Sequence, residues 1–564
     1  MLTRARIKNF KAWRDTGDIR LAPLTVIFGG NSAGKSSLGH LLLALKQTAL
    51  LSDRKRALHL GDPTSLIDLG TFVDCLYGRD GNRKMEFSLQ WRLSSALEVK
   101  NTLNPAEAYR GNELSLDAVL RAGKAEQPEI ERIRYALIGG GAPQLEVDHA
   151  RGLSEVTLKA KPLKLTKMQG RSWPLDPPEK FYRFADATLA RFQNAGFLAD
   201  FSLETERMLN ALSYLGPLRS HPKRIYPWSG ETPQDVGMRG EYAVAALLAA
   251  EADERKLNRG HRQRQKPFAR FVAEWMIQMG VIHSFTVKPV AKGRKEYEVL
   301  IKTHLDAPEV KLTDVGFGIS QVLPALVEAF YAPPNSTVWM EQPEIHLHPE
   351  VQAHLADAFI SAVQAWEGGQ PRNVQLMVES HSEHFLTRLQ RRVAEGVIAP
   401  TDVAIYFCKR SGKSAELEPL SLDLYGNIEN WPDNFFGEWC AARHSLEYAR
   451  LPDWWLLFDV CDRREGRFWS TTHRDAFALA LGFSVVPRLH VGRVSIAQLR
   501  EWVTVKHSCF RQGHLEGVVI RRENRDWLEA RARLVRCDFT QAIDTHWRSR
   551  ELVWNHLDHP VTAE

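Results

Sequence analysis

Long apolar runs are absent from this chain of 564 residues. None approaches the ~18 consecutive apolar residues of a membrane span, and the opening MLTRARIKNF has no apolar core followed by a small-residue cleavage site. No membrane association is expected, and the expected compartment is cytoplasmic. Cysteine is scarce. Cys75, Cys408, Cys440, Cys461, Cys509 and Cys537 form no CxxC pair and no zinc-type spacing, which excludes a disulfide framework and leaves free thiols as the expectation. An excess of one charge is lacking too: a net +6 over this length is a mild basic bias that does not by itself point to nucleic acid. Repeats at solenoid or propeller periods and long low-complexity segments are missing. What remains is ordinary, with 44% hydrophobic and 25% charged residues and room for about three or four globular units of ~150 residues.

The most informative stretch lies near the start. Residues 2–9 alternate in strand fashion, and LTVIF at 24–28 is an apolar β-rich run ending in Gly29 and Gly30. GGNSAGKS at 29–36 fits GxxxxGK[ST], and residues 37–51 continue as an apolar run of helical length. Strand, glycine loop and helix come in the order that phosphate binding requires. Gly29, Asn31 and Gly34 let successive backbone N–H groups wrap a phosphate, and the helix start at Ser37 adds positive potential. Lys35 would reach the outer phosphate oxygens and the Ser36 hydroxyl would ligate Mg2+, which makes ATP and Mg2+ the expected cofactors.

Two later apolar runs end in polar residues. Residues 337–340 lead into Glu341 of VWMEQPEIHLHP, a Walker B arrangement in which the carboxylate faces the phosphate loop along the sheet edge and holds Mg2+ through water. Residues 375–378 lead into ESHSEH, where His381 stands at the position of a γ-phosphate sensor. About 20 residues before the Glu341 strand, LTDVGFGISQ is a glycine-rich turn opening a helix, so Gly316, Gly318 and Ser320 make a second potential anion site. In an ABC arrangement no chain folds this turn onto its own phosphate loop, so a second subunit would supply it.

Seven strings occur in order: IKNFKAW, the phosphate loop, YLGPLRSHPKRIYP, DVGFGISQVLP, EQPEIHLHPEVQAHLAD, ESHSEHFLTRLQRR and IENWPDNFFGE. Over residues 1–437 the chain resembles the RecF/SMC-related AAA ATPases of bacteria, near the overcoming-lysogenization-defect ATPases. The resemblance implies an ABC-type P-loop NTPase of α/β class that forms a homodimer sandwiching two ATPs, in a setting of DNA repair or phage defence with a partner effector protein. In this superfamily a Glu commonly follows the Walker B carboxylate and positions the attacking water, whereas here Gln342 stands there. An amide can orient water but cannot take its proton. Either Glu344 is the base, or hydrolysis is slow and the protein works mainly as an ATP-bound clamp.

Beyond residue 437 the chain is rich in Trp and Arg. Glu438 and the subsequent AARHSLEYARLPDWWLLFDVCDR, then EGVVIR at 516–521 and EARARLVRCDF at 529–539, resemble the ATP-dependent RNA ligases. That resemblance implies nucleotide-pocket roles for Glu438, Phe458 and Asp459 and a metal-holding role for Glu516. The nucleophilic lysine of the family's KxDG motif is missing: KMQG at 167–170 is the nearest string and has no aspartate. The last-strand lysine is replaced by Arg533, which keeps charge but not the compact ammonium. RNA ligase activity is therefore not expected, and the tail is expected to be an incomplete nucleotidyltransferase fragment with apolar strand edges around Trp454 to Phe458.

The expected organisation is an N-terminal P-loop lobe over 1–95, an inserted β-rich subdomain over 96–200, a second ATPase lobe over 201–437, and a partial α+β ligase-like segment over 438–564. The expected activity is ATP binding with slow hydrolysis coupled to dimerisation. The alternatives are an RNA-repair nucleotidyltransferase fusion and an ATP-gated scaffold with little turnover. Two further features carry open readings. His346 and His348 sit two apart without a third ligand, which favours packing over metal. The cationic run at 255–270, including Arg259, Arg262 and Arg264, either tracks a DNA or RNA backbone or is a solvated loop.

Overall fold

A computed structural model describes residues 1–535 other than 31–32, 105, 153, 171–173, 262, 413, 429, 431–435, 440–447, 454, 463–466 and 516. It divides into two units, Met1–Gly426 and Asn427–Glu564.

The first unit is built on a six-stranded sheet. Its order is Leu212–Leu215, Thr337–Glu341, Gln375–Glu379, Leu24–Gly29, Val403–Ser411 and Ser414–Leu420. The first five strands run parallel, and the last closes as an antiparallel hairpin. Every residue of Thr337–Glu341 and Gln375–Glu379 is buried, the continuous apolar pattern of strands covered on both faces. The phosphate-loop strand Leu24–Gly29 lies inside the sheet, and the glutamate-ending strand Gln375–Glu379 separates it from Thr337–Glu341. The parallel strands end on one edge, where an open α/β sheet places its ligands.

Helix Lys35–Leu50 leaves the phosphate loop and buries nearly its whole length. Its Gly39 packs so closely on the Trp339 indole that an added Cβ would enter the ring. The other side of this helix joins a core shared with an eight-stranded antiparallel sheet. In that sheet Leu2–Phe10 pairs with Met85–Lys100, which continues through Ala108–Ala122, Pro128–Gly139, Ala142–Arg151 and Val156–Lys161. The expected junction at 95/96 thus falls inside strand Met85–Lys100, and the β-rich stretch extends the sheet begun by the first strand.

The second unit contains helices Thr471–Leu481 and Ile496–Val505 and the hairpin of Gly517–Glu523 with Leu528–Val535. Strand Phe436–Trp439 pairs with Trp455–Asp459, so the expected junction at 437/438 also lies within a strand. The apolar run around 454–458 is not a bare edge. Leu456 packs with Leu451, and Leu457 with Val460 and Ala478, all buried, because the next helix covers that strand; Trp454 lies outside the described residues. Among the described residues, no helix is long and apolar enough to cross a membrane.

Candidate nucleotide site

The phosphate loop turns where glycine is required. Gly29 has φ +144° and Gly34 φ +107°, and a Cβ on Gly29 would strike the carbonyl oxygen of Cys408 on the neighbouring strand. The Trp13 indole N–H donates to the Gly34 carbonyl at 3.2 Å and pins the end of the loop. Lys35 is folded back onto its own loop, donating to the carbonyls of Gly29 at 3.0 Å and Gly30 at 2.9 Å. Burial lowers its pKa, and the nearby Glu379 opposes that shift.

Beside the loop lies a cavity of about 330 Å³. It is lined by Lys11, Ala12, Ala33, Gly34, Lys35, Ser36, Ser37, Gln342, Glu379 and His381. The fold therefore brings together Gly34, Lys35, Ser36, Ser37, Gln342 and His381 of the residues singled out in the sequence, while Asn31 lies outside the described residues. Gln342 holds a left-handed backbone, φ +45°, and its N–H donates to the Glu379 carbonyl at 2.8 Å, which locks the two strand ends together. His381 follows Ser380, and Ser382 caps helix Glu383–Ala394 by accepting from the Phe385 N–H, so the sensor position is set by a helix start. Burial and then the Lys35 ammonium lower the His381 pKa, which favours a neutral imidazole at pH 7.

Glu341 does not line the cavity. Its Oε1 accepts from the Trp339 Nε1 at 3.3 Å and the Tyr214 hydroxyl at 3.4 Å, with His40 Nε2 3.6 Å away. Burial and then the neighbouring Glu379 push its carboxyl up to about 7. Glu344 is also outside the lining. Its Oε1 accepts from the His381 N–H at 2.6 Å and the Ser380 hydroxyl at 2.8 Å, so it braces the His381 loop from beneath. The turn with Gly316, Gly318 and Ser320 opens helix Phe317–Tyr331 and does not line this cavity; Gly318 lies beside the His346 carbonyl.

Three site residues were not singled out in the sequence. Lys11 carries a cation into the cavity just past the first strand. Arg219, in YLGPLRS, is buried against the Glu341 carbonyl, 3.4 Å from Nη2; its Nε and Nη1 have no partner among the described residues, and burial lowers its pKa to about 10. Glu379 ends its apolar strand as Glu341 ends the next one, and that parallel was the available signal.

The other candidates fall into structural roles. His348 caps helix Pro349–Gln364 by accepting from the Glu350 N–H at 3.4 Å. Among the described residues, no cluster of three or more His, Cys, Asp or Glu side chains is placed to hold a metal by itself. Within the cationic run, Arg255 pairs with Glu367 at 2.7 Å, Arg259 stacks on Trp275, and Lys266 and Arg270 share Glu274. Arg262 lies outside the described residues. In the second unit, the buried Asp459 is held by Arg521 and by Arg531 at 2.6 Å, an ion-pair role at an expected nucleotide-pocket position. Phe458 gives its carbonyl to Arg474 at 2.7 Å. Glu516 is outside the described residues, as are the side chains of Glu438 and Arg533.

Residues 248–386 match the family profile of the AAA ATPase domain, and residues 368–535 match that of RNA ligase. The second match begins within the ATPase sheet, since it includes Gln375–Glu379 and Val403–Ser411. No curated protein matches the chain. Solved structures similar to it include the SMC head bound to the C-winged helix domain of ScpA, with 12% identity and TM-score 0.36 over 75% of this chain and 98% of that one. The SMC head domain from Thermotoga maritima gives 11% identity and TM-score 0.34 over 74% and 98%. The Smc head domain with an extended coiled coil, bound to the C-terminal domain of ScpA derived from Pyrococcus furiosus, gives 10% and 0.33 over 75% and 96%. Likenesses this distant assign neither an activity nor a partner. With its phosphate loop on a parallel α/β sheet, the chain carries a P-loop ATPase domain similar over 248–386 to the AAA ATPases, overlapped from residue 368 by a region similar to RNA ligases.

Proposed function

We propose that the protein binds ATP and Mg2+ in the cavity beside the phosphate loop and hydrolyses ATP slowly in a head-to-tail homodimer. The carrying observation is the joint lining of one cavity by Lys35, Ser36, Gln342 and His381, which come from three separate strand ends. Lys35 would leave the Gly29 and Gly30 carbonyls for the phosphates, and His381 would donate its ring N–H to a γ-phosphate oxygen. Mg2+ would supply charge neutralisation at the phosphate oxygens; Ser36, which lines the cavity with the buried Glu379, is a fitting donor for it. Gln342 would orient water without taking its proton, which accounts for slow turnover. Glu341 and Glu344 would act from behind, the first fixing the strand end that carries Gln342 and the second the loop that carries His381.

Gly316, Gly318 and Ser320 would complete the partner chain's site, which agrees with their absence from the lining of their own. Closure would regulate a partner protein or nucleic acid in DNA repair or phage defence, as the family resemblance implies. The test is phosphate release from ATP by the purified chain, with sedimentation before and after adding a non-hydrolysable analogue. No nucleotide binding would overturn the proposal, and binding without dimerisation would overturn its second half.

A second reading, RNA-ligase chemistry, is favoured by the match over 368–535 alone. α-Labelled ATP separates the two: covalent label on the chain belongs to a ligase, and phosphate release without label to an ATPase.

A further inference from the structure

We propose that Glu379, rather than Glu341, supplies the carboxylate that holds the nucleotide-bound divalent cation beside Ser36. This inference rests on the ATP-binding reading and assigns a residue within the same site. Glu379 ends the strand hydrogen-bonded directly to the phosphate-loop strand, in register with Ile27, whereas Glu341 is its register partner one strand further out. Neighbouring strands are about 4.8 Å apart. Both strand ends reach the cavity, since Gln342 lines it from the outer strand and Glu379 from the inner one, so the side chains decide between the two carboxylates.

Glu379 lines the cavity together with Ser36, and its Oε1 is 3.8 Å from the Lys35 ammonium. It is 3% exposed, and its Oε2 has no hydrogen-bond partner among the described residues. A buried, unpartnered carboxylate oxygen is costly, and a cation is the group that would relieve it. Glu341, by contrast, is engaged by Trp339 and Tyr214 and faces His40. Mg2+ is commonly held by one or two carboxylates together with phosphate oxygens and water, so one hydroxyl and one carboxylate from the protein suffice.

The experiment uses the full chain, Mn2+ as the probe cation and a non-hydrolysable ATP analogue. Bound Mn2+ is read by electron paramagnetic resonance, and analogue binding in EDTA is measured separately. Glu379→Gln is expected to weaken Mn2+ retention at least about tenfold while keeping analogue binding in EDTA. Glu379→Asp, which keeps the charge but shortens the reach, falls between Glu379→Gln and wild type. Glu341→Gln is expected to retain Mn2+ better than Glu379→Gln does. Loss of Mn2+ in Glu341→Gln with retention in Glu379→Gln overturns the assignment, as does retention in both. If the wild-type chain binds no analogue with or without Mn2+, the ATP reading itself fails and takes this inference with it.

Discussion

Glu328 offers a test of the buried electrostatics on helix Phe317–Tyr331. It lies on helix Phe317–Tyr331, fully buried, with Oε2 accepting from the Val236 N–H at 2.9 Å and Oε1 unpartnered among the described residues. Burial, and then Asp235, push its carboxyl from the ordinary 4.5 up to about 7. At about 1.4 kcal/mol per tenfold change in proton affinity, that displacement costs the folded state about 3 kcal/mol once the group is ionised. The folded chain binds the proton more tightly than the unfolded chain, so stability falls as pH rises between 4.5 and about 7 and then levels off.

Glu328→Gln keeps an acceptor for Val236 and removes the ionisation. The variant should gain up to about 3 kcal/mol over wild type near pH 8 and under about 1 kcal/mol near pH 5. The assay is unfolding of both chains across this range without nucleotide. The raised carboxyls of Glu341, Glu344 and Glu379 titrate in both proteins, so the difference between them isolates Glu328. A difference that does not change with pH, or a variant weaker than wild type near pH 8, would show that Glu328 is ionised in the folded chain, and the argument would fail.

Other outcomes rest on the same geometry. Lys35→Ala should abolish ATP binding, measured by equilibrium titration, because the loop loses its side-chain cation. Gln342→Glu should speed phosphate release by placing a carboxylate in the cavity lining. Glu344→Gln keeps the acceptor for His381 and should change turnover less than His381→Ala does, whereas a near-complete stop would make Glu344 the base. Lys35→Ala and Ser320→Arg chains should each be inactive alone and regain part of the activity when mixed, because a mixed dimer has one site free of both changes; no recovery would remove the shared-site arrangement.

The phosphate site was legible in the sequence wherever its signal was local. GxxxxGKS fixes its own backbone through glycines whose φ no other residue tolerates, and the apolar runs before Glu341 and Glu379 mark buried parallel strands by composition alone. Strand order is not local. It depends on which apolar edges pair after collapse, and it put Gln375–Glu379 between the two strands that the sequence links by motif. That insertion set Glu379 beside Lys35 in the cavity lining, which the sequence could not show because Glu341 and Glu379 end their strands in the same way. The tertiary fold also paired part of the cationic run: Glu274 takes Lys266 and Arg270 locally, whereas Glu367, more than a hundred residues from Arg255, meets it only through pairing of strands Lys256–Asn258 and Trp366–Glu367. Motif chemistry was thus set by residue type and spacing. The choice among chemically equivalent residues was made by long-range pairing, whose energy comes from contacts distant in sequence.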